Sequence, residues 1–247
     1  RPATTRVAVV GAGMPGLATA WFLQEHGVQV TVFDRVGVAG GSTWGNAGWI
    51  SPALTAPLPE PAVLRYGLRA ILDPSSPVYV PPRLDARLMR FLVGFARNST
   101  AARWRHGVGV YSPLVDRAMD AFDTLTSAGV RATSFRRTPI LAAARTEREL
   151  AGLAQELEAV RDLGRNIAWD TLSGDELRKL EPALSGAVDV GLRILDQGSI
   201  DPGEFADALG ASVVERGGVV RAPETVSRVT DTATHALVHV ASGPPEE

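Results

Sequence analysis

The 247-residue sequence contains no cysteine, and this absence removes several classes of function at once. Without thiols the chain has no disulfide framework, no iron–sulfur cluster, no thiolate zinc site and no cysteine nucleophile. An excess of one charge is also lacking, because 25 Lys and Arg residues stand against 27 Asp and Glu residues. The net charge of −2 gives no bulk electrostatic reason to expect nucleic-acid binding.

Long apolar runs are missing as well. No stretch approaches the roughly 18–20 apolar residues that a membrane-spanning helix requires. The first ten residues also lack the charged segment and apolar core of a signal peptide. We therefore expect a cytoplasmic protein without a transmembrane segment. The composition, 45% hydrophobic and 21% charged, is typical of a folded domain.

The most informative segment is the N-terminal one, which predicts a strand, a helix and a second strand. Residues 7–10 form a short apolar run that predicts a buried strand, and a helical pattern extends from Leu17 to His26. Residues 28–32 then alternate apolar and polar side chains, as a second strand does, and Asp34 follows them. A glycine-rich turn joins the first strand to the helix.

The turn fits the pattern G-x-G-x-x-G, and each glycine has a physical role in it. Gly11 permits a tight turn, Gly13 lets the backbone approach a pyrophosphate, and Gly16 lets the helix pack closely on the strand. The start of the helix offers free N–H groups and a positive dipole end to phosphates. Asp34 stands where a carboxylate can accept hydrogen bonds from a ribose. This segment predicts the binding of an adenine dinucleotide.

The segment after Asp34 distinguishes between two kinds of dinucleotide. A nicotinamide-binding unit would normally run through a turn into another helix. Residues 35–52 form instead a long loop rich in glycine and small polar residues. Such a loop suits close backbone approach to a large planar ligand, although an ordinary surface loop has the same composition.

Two runs together resemble a known family. VAVVGAGMPGLATAWFLQEHGVQVTVFDR (7–35) and GGSTWGNAGWISP (40–52) are similar to the D-amino-acid dehydrogenase small-subunit branch of the D-amino-acid oxidase-like flavoproteins. Weaker similarity continues at 81–105, 177–184 and 191–209. The resemblance implies FAD as the cofactor. The implied FAD contacts are Gly11, Ala12, Gly13, Met14, Pro15 and Gly16 along the pyrophosphate; Asp34 at the ribose; Arg35 and Val226 at the adenine; Ser42 and Thr43 near the phosphates; and Asn46, Ala47 and Gly48 beside the isoalloxazine ring.

The implied fold is an α/β Rossmann-type FAD-binding domain with an inserted α+β substrate domain. We expect the FAD-binding domain at 1–52 and 191–247 and the substrate domain at 53–190. A third parallel strand is expected at 219–222 and an antiparallel meander at 225–241. The resemblance also implies that the C-terminal part of the family fold is missing from this chain, so we expect a C-terminal fragment or second polypeptide to complete it.

The inserted segment has its own local signals. Proline-rich turns are expected at 52–61 and 74–82. Helical patterns occupy 84–98, 112–128 and 146–163, with a strand between the last two at 139–144. Capping boxes are expected at two further helix starts: Ser173 with Glu176, and Asp201 with Glu204.

The implied activity is oxidation of the C–N bond of a D-amino acid or related amine by hydride transfer to flavin N5, giving an imine that hydrolyses. The alternatives are a glycine- or sarcosine-type amine oxidase and a non-catalytic FAD-binding subunit of a larger complex. The electron acceptor, oxygen or a quinone, stays open, and a quinone acceptor would allow peripheral attachment to the inner membrane. No catalytic residue can be named, since the resemblance places the arginine for the substrate carboxylate beyond this chain.

Two further features need an interpretation. Trp49 stands where the resembling dehydrogenases usually have glutamine, so their exact substrate specificity does not carry over to this chain. Because Trp49 follows Asn46, Ala47 and Gly48, we expect it to border the flavin or the substrate pocket, the alternative being a loop tryptophan buried against the second domain. Asp116, Asp120 and Asp123 share one helix face, and we interpret them as a solvated surface rather than a metal site.

Overall fold

The computed structural model describes residues 5–61, 63–64 and 85–241. The chain divides into two compact units. The first unit combines the residues up to Ile50 with Met119–Thr138 and the residues from Gly198 onward, and the second combines Ser51–Ala118 with Pro139–Gln197. The proline-rich turns expected at 74–82 lie outside the described residues.

The described part of the chain contains both helices and strands. The helices are α1 Met14–Glu25, α2 Ala86–Asn98, α3 Ala101–Val115, α4 Ala118–Ser127, α5 Glu147–Asp162, α6 Gly174–Leu180 and α7 Pro202–Glu215, and a 3₁₀ turn spans Pro52–Leu54. The strands are β1 Arg6–Val10, β2 Gln29–Phe33, β3 Trp49–Ile50, β4 Arg136–Arg137, β5 Ile140–Ala144, β6 Trp169–Ser173, β7 Val190–Ile194, β8 Gly198–Ser199, β9 Val219–Arg221, β10 Val226–Asp231 and β11 Ala236–Val240.

The first unit is built on a parallel sheet in the order β1-β2-β9. Helix α1 connects β1 to β2, and α7 leads into β9, as a doubly wound sheet requires. β10 and β11 form an antiparallel hairpin after β9. The third parallel strand and the hairpin agree with the sequence prediction.

The core of this unit lies between α1 and α7. Leu17 and Trp21 of α1 and Phe205 and Leu209 of α7 are all 0% exposed. The indole Nε1 of Trp21 donates a hydrogen bond of 3.0 Å to the Ser212 hydroxyl. Each large apolar side chain buried here contributes about 1.5–3 kcal/mol, so the α1–α7 contact holds the start of α1 in place.

Strand β1 is less buried than its apolar sequence predicts. Val10 is 59% exposed, and Arg6 and Ala8 are exposed too. The reason is position, because β1 pairs with β2 on one side and has no strand on its other edge within the described residues. The predicted buried strand is therefore wrong for these residues. Beside this edge, a cavity of about 840 Å³ is lined by residues of β1, β2 and the β10–β11 hairpin.

Residues 119–138 lie in the first unit, although the sequence placed them within the inserted domain at 53–190. Phe122 of α4 stacks on Phe135 with 5.8 Å between ring centroids and meets Phe205 edge-on at 5.2 Å. Leu125 and Val130 are buried in the same core. Packing between residues far apart in sequence therefore sets this boundary.

The second unit centres on an antiparallel sheet in the order β5-β7-β6, and α5 packs on one face of it. β7 is its central strand, so residues 191–197 group with this unit rather than with the FAD-binding domain expected from 191 onward. Leu150, Leu157 and Val160 are the buried face of α5, as its amphipathic pattern predicts.

The helix positions and caps predicted from local sequence patterns agree only partly with the structure. The helix predicted at 112–128 corresponds to the end of α3 and the whole of α4. Most of α3, from Ala101 onward, was not predicted. A signal existed in Thr100, whose hydroxyl caps α3 by accepting from Arg103 N at 3.4 Å. The capping box of Ser173 and Glu176 at α6 is confirmed.

The box expected at α7 is half formed. Asp201 accepts from Glu204 N at 3.0 Å, but the Glu204 carboxylate turns away from the cap. It accepts hydrogen bonds instead from Ser134 N at 3.0 Å and from the N–H and hydroxyl of Thr133 at 2.8 Å. Hydrogen bonds from Ser134 and Thr133 lower the pKa of Glu204 from 4.5 to about 2. Glu204 thus ties α7 to the segment before β4.

We expect Glu204→Gln to lower the free energy of unfolding at pH 7 by about 1 kcal/mol, because a neutral amide accepts these hydrogen bonds less strongly. Since the folded-state pKa is depressed, this contribution is fully present above pH 4.5 and is lost as the pH falls towards 2. Denaturant titrations between pH 3 and 7 measure the difference. Glu215→Gln, on the same helix with an exposed ion pair to Arg131 at 3.7 Å, is the matched control. A pH-independent difference between wild type and Glu204→Gln would contradict this account.

Candidate functional site

The glycine-rich turn between β1 and α1 is closed by backbone contacts. Gly11 has φ +110°, a conformation that glycine adopts readily, and its N–H donates to Phe33 O at 2.7 Å. A Cβ on Gly16 would stand 1.9 Å from Gly11 O. The first turn of α1 therefore lies directly against the turn that precedes it, as the motif predicts.

The start of α1 presents unpaired donors. Met14 N donates to the Thr43 hydroxyl at 3.0 Å, and Pro15 has no N–H. The N–H groups of Gly13 and Gly16 have no hydrogen-bond partner in the described part of the chain. Two free donors at the positive end of a helix are a suitable site for a phosphate.

Asp34 closes the same turn from the end of β2. Its Oδ2 accepts from Ala12 N at 2.9 Å, and its Oδ1 accepts from Val36 N at 2.8 Å and Gly37 N at 3.0 Å. Burial raises the pKa of the Asp34 carboxyl, but these backbone hydrogen bonds outweigh it and hold the pKa below its ordinary value. A carboxylate accepts about four hydrogen bonds, so one position stays open on Oδ2. The sequence predicted the ribose contact and missed this structural role.

Arg35 and Val226, which the resemblance places at the adenine, both lie close to Asp34. Glu224 N donates to Asp34 O at 2.7 Å, and Asp34 N donates to Arg221 O at 2.9 Å. These bonds place the segment leading to Val226 beside the end of β2. Val226 packs with Phe33, and Arg35 is exposed.

The loop after Asp34 reaches back to the start of α1 through Thr43. This side chain is 6% exposed, and its hydroxyl would be 3.0 Å from a Cβ on Gly13. Ser42 is exposed beside it. Asn46 fixes the next turn, because its amide donates to Thr43 O at 2.9 Å and accepts from Gly48 N at 2.7 Å. Asn46 therefore shapes the loop with its own side chain, and Ala47 is exposed at the tip.

The loop ends at Gly48, where the backbone is crowded. Gly48 has φ +68°, and a Cβ there would stand 2.0 Å from Ile200 O. Ile200 N donates to Gly48 O at 2.9 Å, which joins the loop to the segment before α7. Sequence reasoning missed Ile200, since no local pattern predicts which distant carbonyl meets a glycine. Trp49 follows in β3 with its side chain 63% exposed, which differs from the buried alternative.

The first unit therefore brings together the glycine-rich turn, Asp34, Thr43 and the 46–48 loop. The free donors at Gly13 and Gly16 and the open position on Asp34 fit the diphosphate and ribose of an adenine dinucleotide.

No group of three His, Asp or Glu residues within the described ranges could hold a metal ion. Asp116 and Asp123 instead pair with Arg165 and Arg137. Within the described ranges, every helix is too short or too polar to span a lipid bilayer.

We expect Asp34→Asn to weaken FAD binding at least about tenfold, because an amide cannot accept on both sides and leaves a buried N–H of the turn unpaired at a cost of about 1–3 kcal/mol. Fluorescence titration of the flavin-stripped protein measures the dissociation constant. Asp207→Asn, an exposed position on α7, is the control and should bind FAD as the wild type does. Equal affinity of Asp34→Asn and wild type would show that Asp34 has no part in the site.

Comparisons with known proteins identify the family of the chain. The family model described as FAD dependent oxidoreductase (DAO) matches residues 6–244. A D-amino acid dehydrogenase of Cereibacter sphaeroides is 32% identical over 218 residues, covering 87% of this chain and 49% of the relative. The chain thus spans about half the length of this curated relative.

Two solved structures share the fold. L-alpha-glycerophosphate oxidase from Mycoplasma pneumoniae, solved with FAD bound, has a TM-score of 0.61 at 17% identity. The alignment covers 97% of this chain and 50% of the oxidase chain. Glycine oxidase from Bacillus cereus has a TM-score of 0.58 at 16% identity, and the alignment covers 96% of this chain and 52% of the glycine oxidase chain. The match over nearly the whole chain confirms the expected fold class and FAD as the family's cofactor. The chain belongs to the DAO family of FAD-dependent oxidoreductases.

Proposed function

We propose that the chain is part of an FAD-dependent enzyme that oxidises the C–N bond of a D-amino acid or a related amine. The observation that carries the proposal is the first unit's site, where Gly13 and Gly16 offer free N–H groups and Asp34 and Thr43 shape the turn around them. The family match and the 32% identity to a D-amino acid dehydrogenase support the substrate class.

The residues have distinct roles in this proposal. The N–H groups of Gly13 and Gly16 bind the diphosphate, and Asp34 accepts from the ribose at its open position. Asn46 and Gly48 hold the loop that runs beside the ring. When bound, FAD would supply the acceptor for the hydride that leaves the substrate carbon. The amine nitrogen would lose a proton to solvent as the C=N bond forms, and water would then hydrolyse the imine. Such chemistry depends on positioning more than on a strong side-chain base.

Anaerobic mixing of the holoprotein with a panel of D-amino acids, glycine and sarcosine tests the activity. We expect D-amino acids to bleach the flavin absorbance band. Reduction by glycine and sarcosine, with peroxide formed in air, would identify the amine-oxidase alternative instead. Bound flavin that no compound reduces would contradict catalysis and favour a non-catalytic FAD-binding subunit.

We also propose that the working enzyme includes residues equivalent to the remaining half of the relatives. The coverage of 49% and the unpaired edge of β1 in the described residues support this. Intact-mass analysis of the protein purified under denaturing conditions should find a species well above 26.1 kDa or a second polypeptide. A lone 26.1 kDa species with one FAD per chain would contradict it.

A further inference from the structure

A small antiparallel sheet in the first unit places three side chains on one face. In the order β3-β8-β4, Trp49 pairs with Ser199, and Ser199 pairs with Arg136. Directly opposed residues in antiparallel strands point to the same side of the sheet. We call this the Trp49–Ser199–Arg136 face.

The reverse side of the same sheet is occupied by packing. Ile50 is 7% exposed, and a Cβ on Gly198 would meet Met119 at 3.1 Å. Arg137, which shares that side, forms an ion pair with Asp123. The two adjacent arginines of β4 therefore lie in different environments.

Arg136, unlike Arg137, has no carboxylate partner among the described residues. Its Nη1 donates to Thr133 O and to Phe135 O, the latter at 2.9 Å, which holds one nitrogen of the guanidinium. In the described part of the chain no carboxylate lies within ion-pair distance of Arg136. Its Nε and Nη2 face no acceptor there, and these two atoms form the edge that binds carboxylates in a bidentate pair.

The face also stands at the end of the candidate flavin loop. Trp49 directly follows Gly48, and its side chain is 63% exposed. Strands lie about 4.8 Å apart, so Trp49 and Arg136 flank Ser199 across about 10 Å. The exposed indole of Trp49 lies at one side of this face, and the guanidinium of Arg136, held by two backbone carbonyls, lies at the other. Such a face can bind a small molecule that has an apolar part and an anionic group.

We propose that the Trp49–Ser199–Arg136 face binds a carboxylate of the amino-acid substrate, with Arg136 at the carboxylate and Trp49 against the apolar part. This rests on the proposed function. The carboxylate is either the α-carboxylate, which the resemblance assigned instead to an arginine beyond this chain, or one on the substrate's side chain. The two sources predict different specificities.

Binding to the holoprotein separates them without turnover. Calorimetric titrations use propionate and succinate on the wild type, Arg136→Gln, Arg136→Lys and the control Arg137→Gln. We expect Arg136→Gln to weaken carboxylate binding at least about tenfold, Arg136→Lys to restore part of it, and Arg137→Gln to change nothing, because bidentate pairing needs the guanidinium. Weakening with both acids supports an α-carboxylate site, and weakening with succinate alone supports a side-chain carboxylate.

The same affinity for both acids in Arg136→Gln and wild type overturns the proposal, as does a wild type that binds neither acid. Flavin content and thermal unfolding of each variant identify any loss of folding, and Arg136→Lys then decides, since it keeps the cation. Failure of the proposed function is read separately: if no amine reduces the wild-type flavin, the enzyme assignment fails whatever the acids do.

Discussion

Replacing Gly16 with alanine should cost the protein its bound FAD and destabilise its first unit. The new Cβ would stand 1.9 Å from Gly11 O, a backbone atom that cannot move without displacing the turn. Overpacking costs about 1–3 kcal/mol even where side chains can yield, and we expect the upper end here. Moving the turn also misaligns the free N–H groups of Gly13 and Gly16, each worth about 1.5–3 kcal/mol as a hydrogen bond to a charged phosphate.

Flavin content after purification and the FAD dissociation constant measure the effect, which should exceed a hundredfold in affinity. The control is Gly152→Ala in α5, an exposed helical position where a Cβ meets nothing within 4 Å. That variant should keep its FAD and gain about 0.5–1 kcal/mol of stability from helix propensity. A Gly16→Ala protein with full FAD content would refute the assignment of this turn to the diphosphate.

Gly48→Ala should detach the loop that follows Thr43 from the backbone of Ile200. Alanine at φ +68° costs about 1–2 kcal/mol, and its Cβ would collide with Ile200 O at 2.0 Å. The expected result is a loss of the Gly48–Ile200 contact, a shifted visible spectrum of any flavin still bound, and at least about tenfold weaker FAD binding, equal to 1.4 kcal/mol.

Gly41→Ala is the matched variant, since it lies in the same loop with nothing within 4 Å of its Cβ. It should leave both the spectrum and the affinity unchanged. If Gly48→Ala lowered only the thermal stability, with an unaltered flavin spectrum and FAD affinity, the 46–48 loop would not border the ring.

The sequence predicted most of what is local. The βαβ unit, the helix at 146–163 and the capping box at Ser173 follow from periodicity and capping chemistry over a few residues. Most of α3 was missed although the cap at Thr100 was a local signal, but the other failures depend on contacts between distant segments. Residues 119–138 join the first unit through Phe122 and Phe135, and β1 lies at a sheet edge, neither of which a local pattern reveals.

The candidate site follows the same division. The glycines and Asp34 could be identified as candidates because the motif depends on spacing within one strand–helix–strand unit. The cap that Thr43 places on Met14, the contact of Gly48 with Ile200 and the alignment of Arg136 with Trp49 depend on pairing across long sequence separations. The Glu204 carboxylate illustrates the limit, since its spacing predicts a capping box while Thr133 and Ser134 attract it more strongly.

A competition titration on the flavin-stripped protein tests most directly the claim that the glycine-rich turn, Asp34 and Thr43 hold the adenine dinucleotide. FAD, FMN and ADP are compared by quenching of flavin fluorescence and by displacement. We predict that FAD binds with one site per chain and that ADP displaces it competitively. FMN lacks the AMP half of FAD and should bind at least about a hundredfold more weakly, because it loses the hydrogen bonds to the adenosine ribose and to the second phosphate. FMN binding as tight as FAD, or FAD binding that ADP cannot displace, would contradict the account.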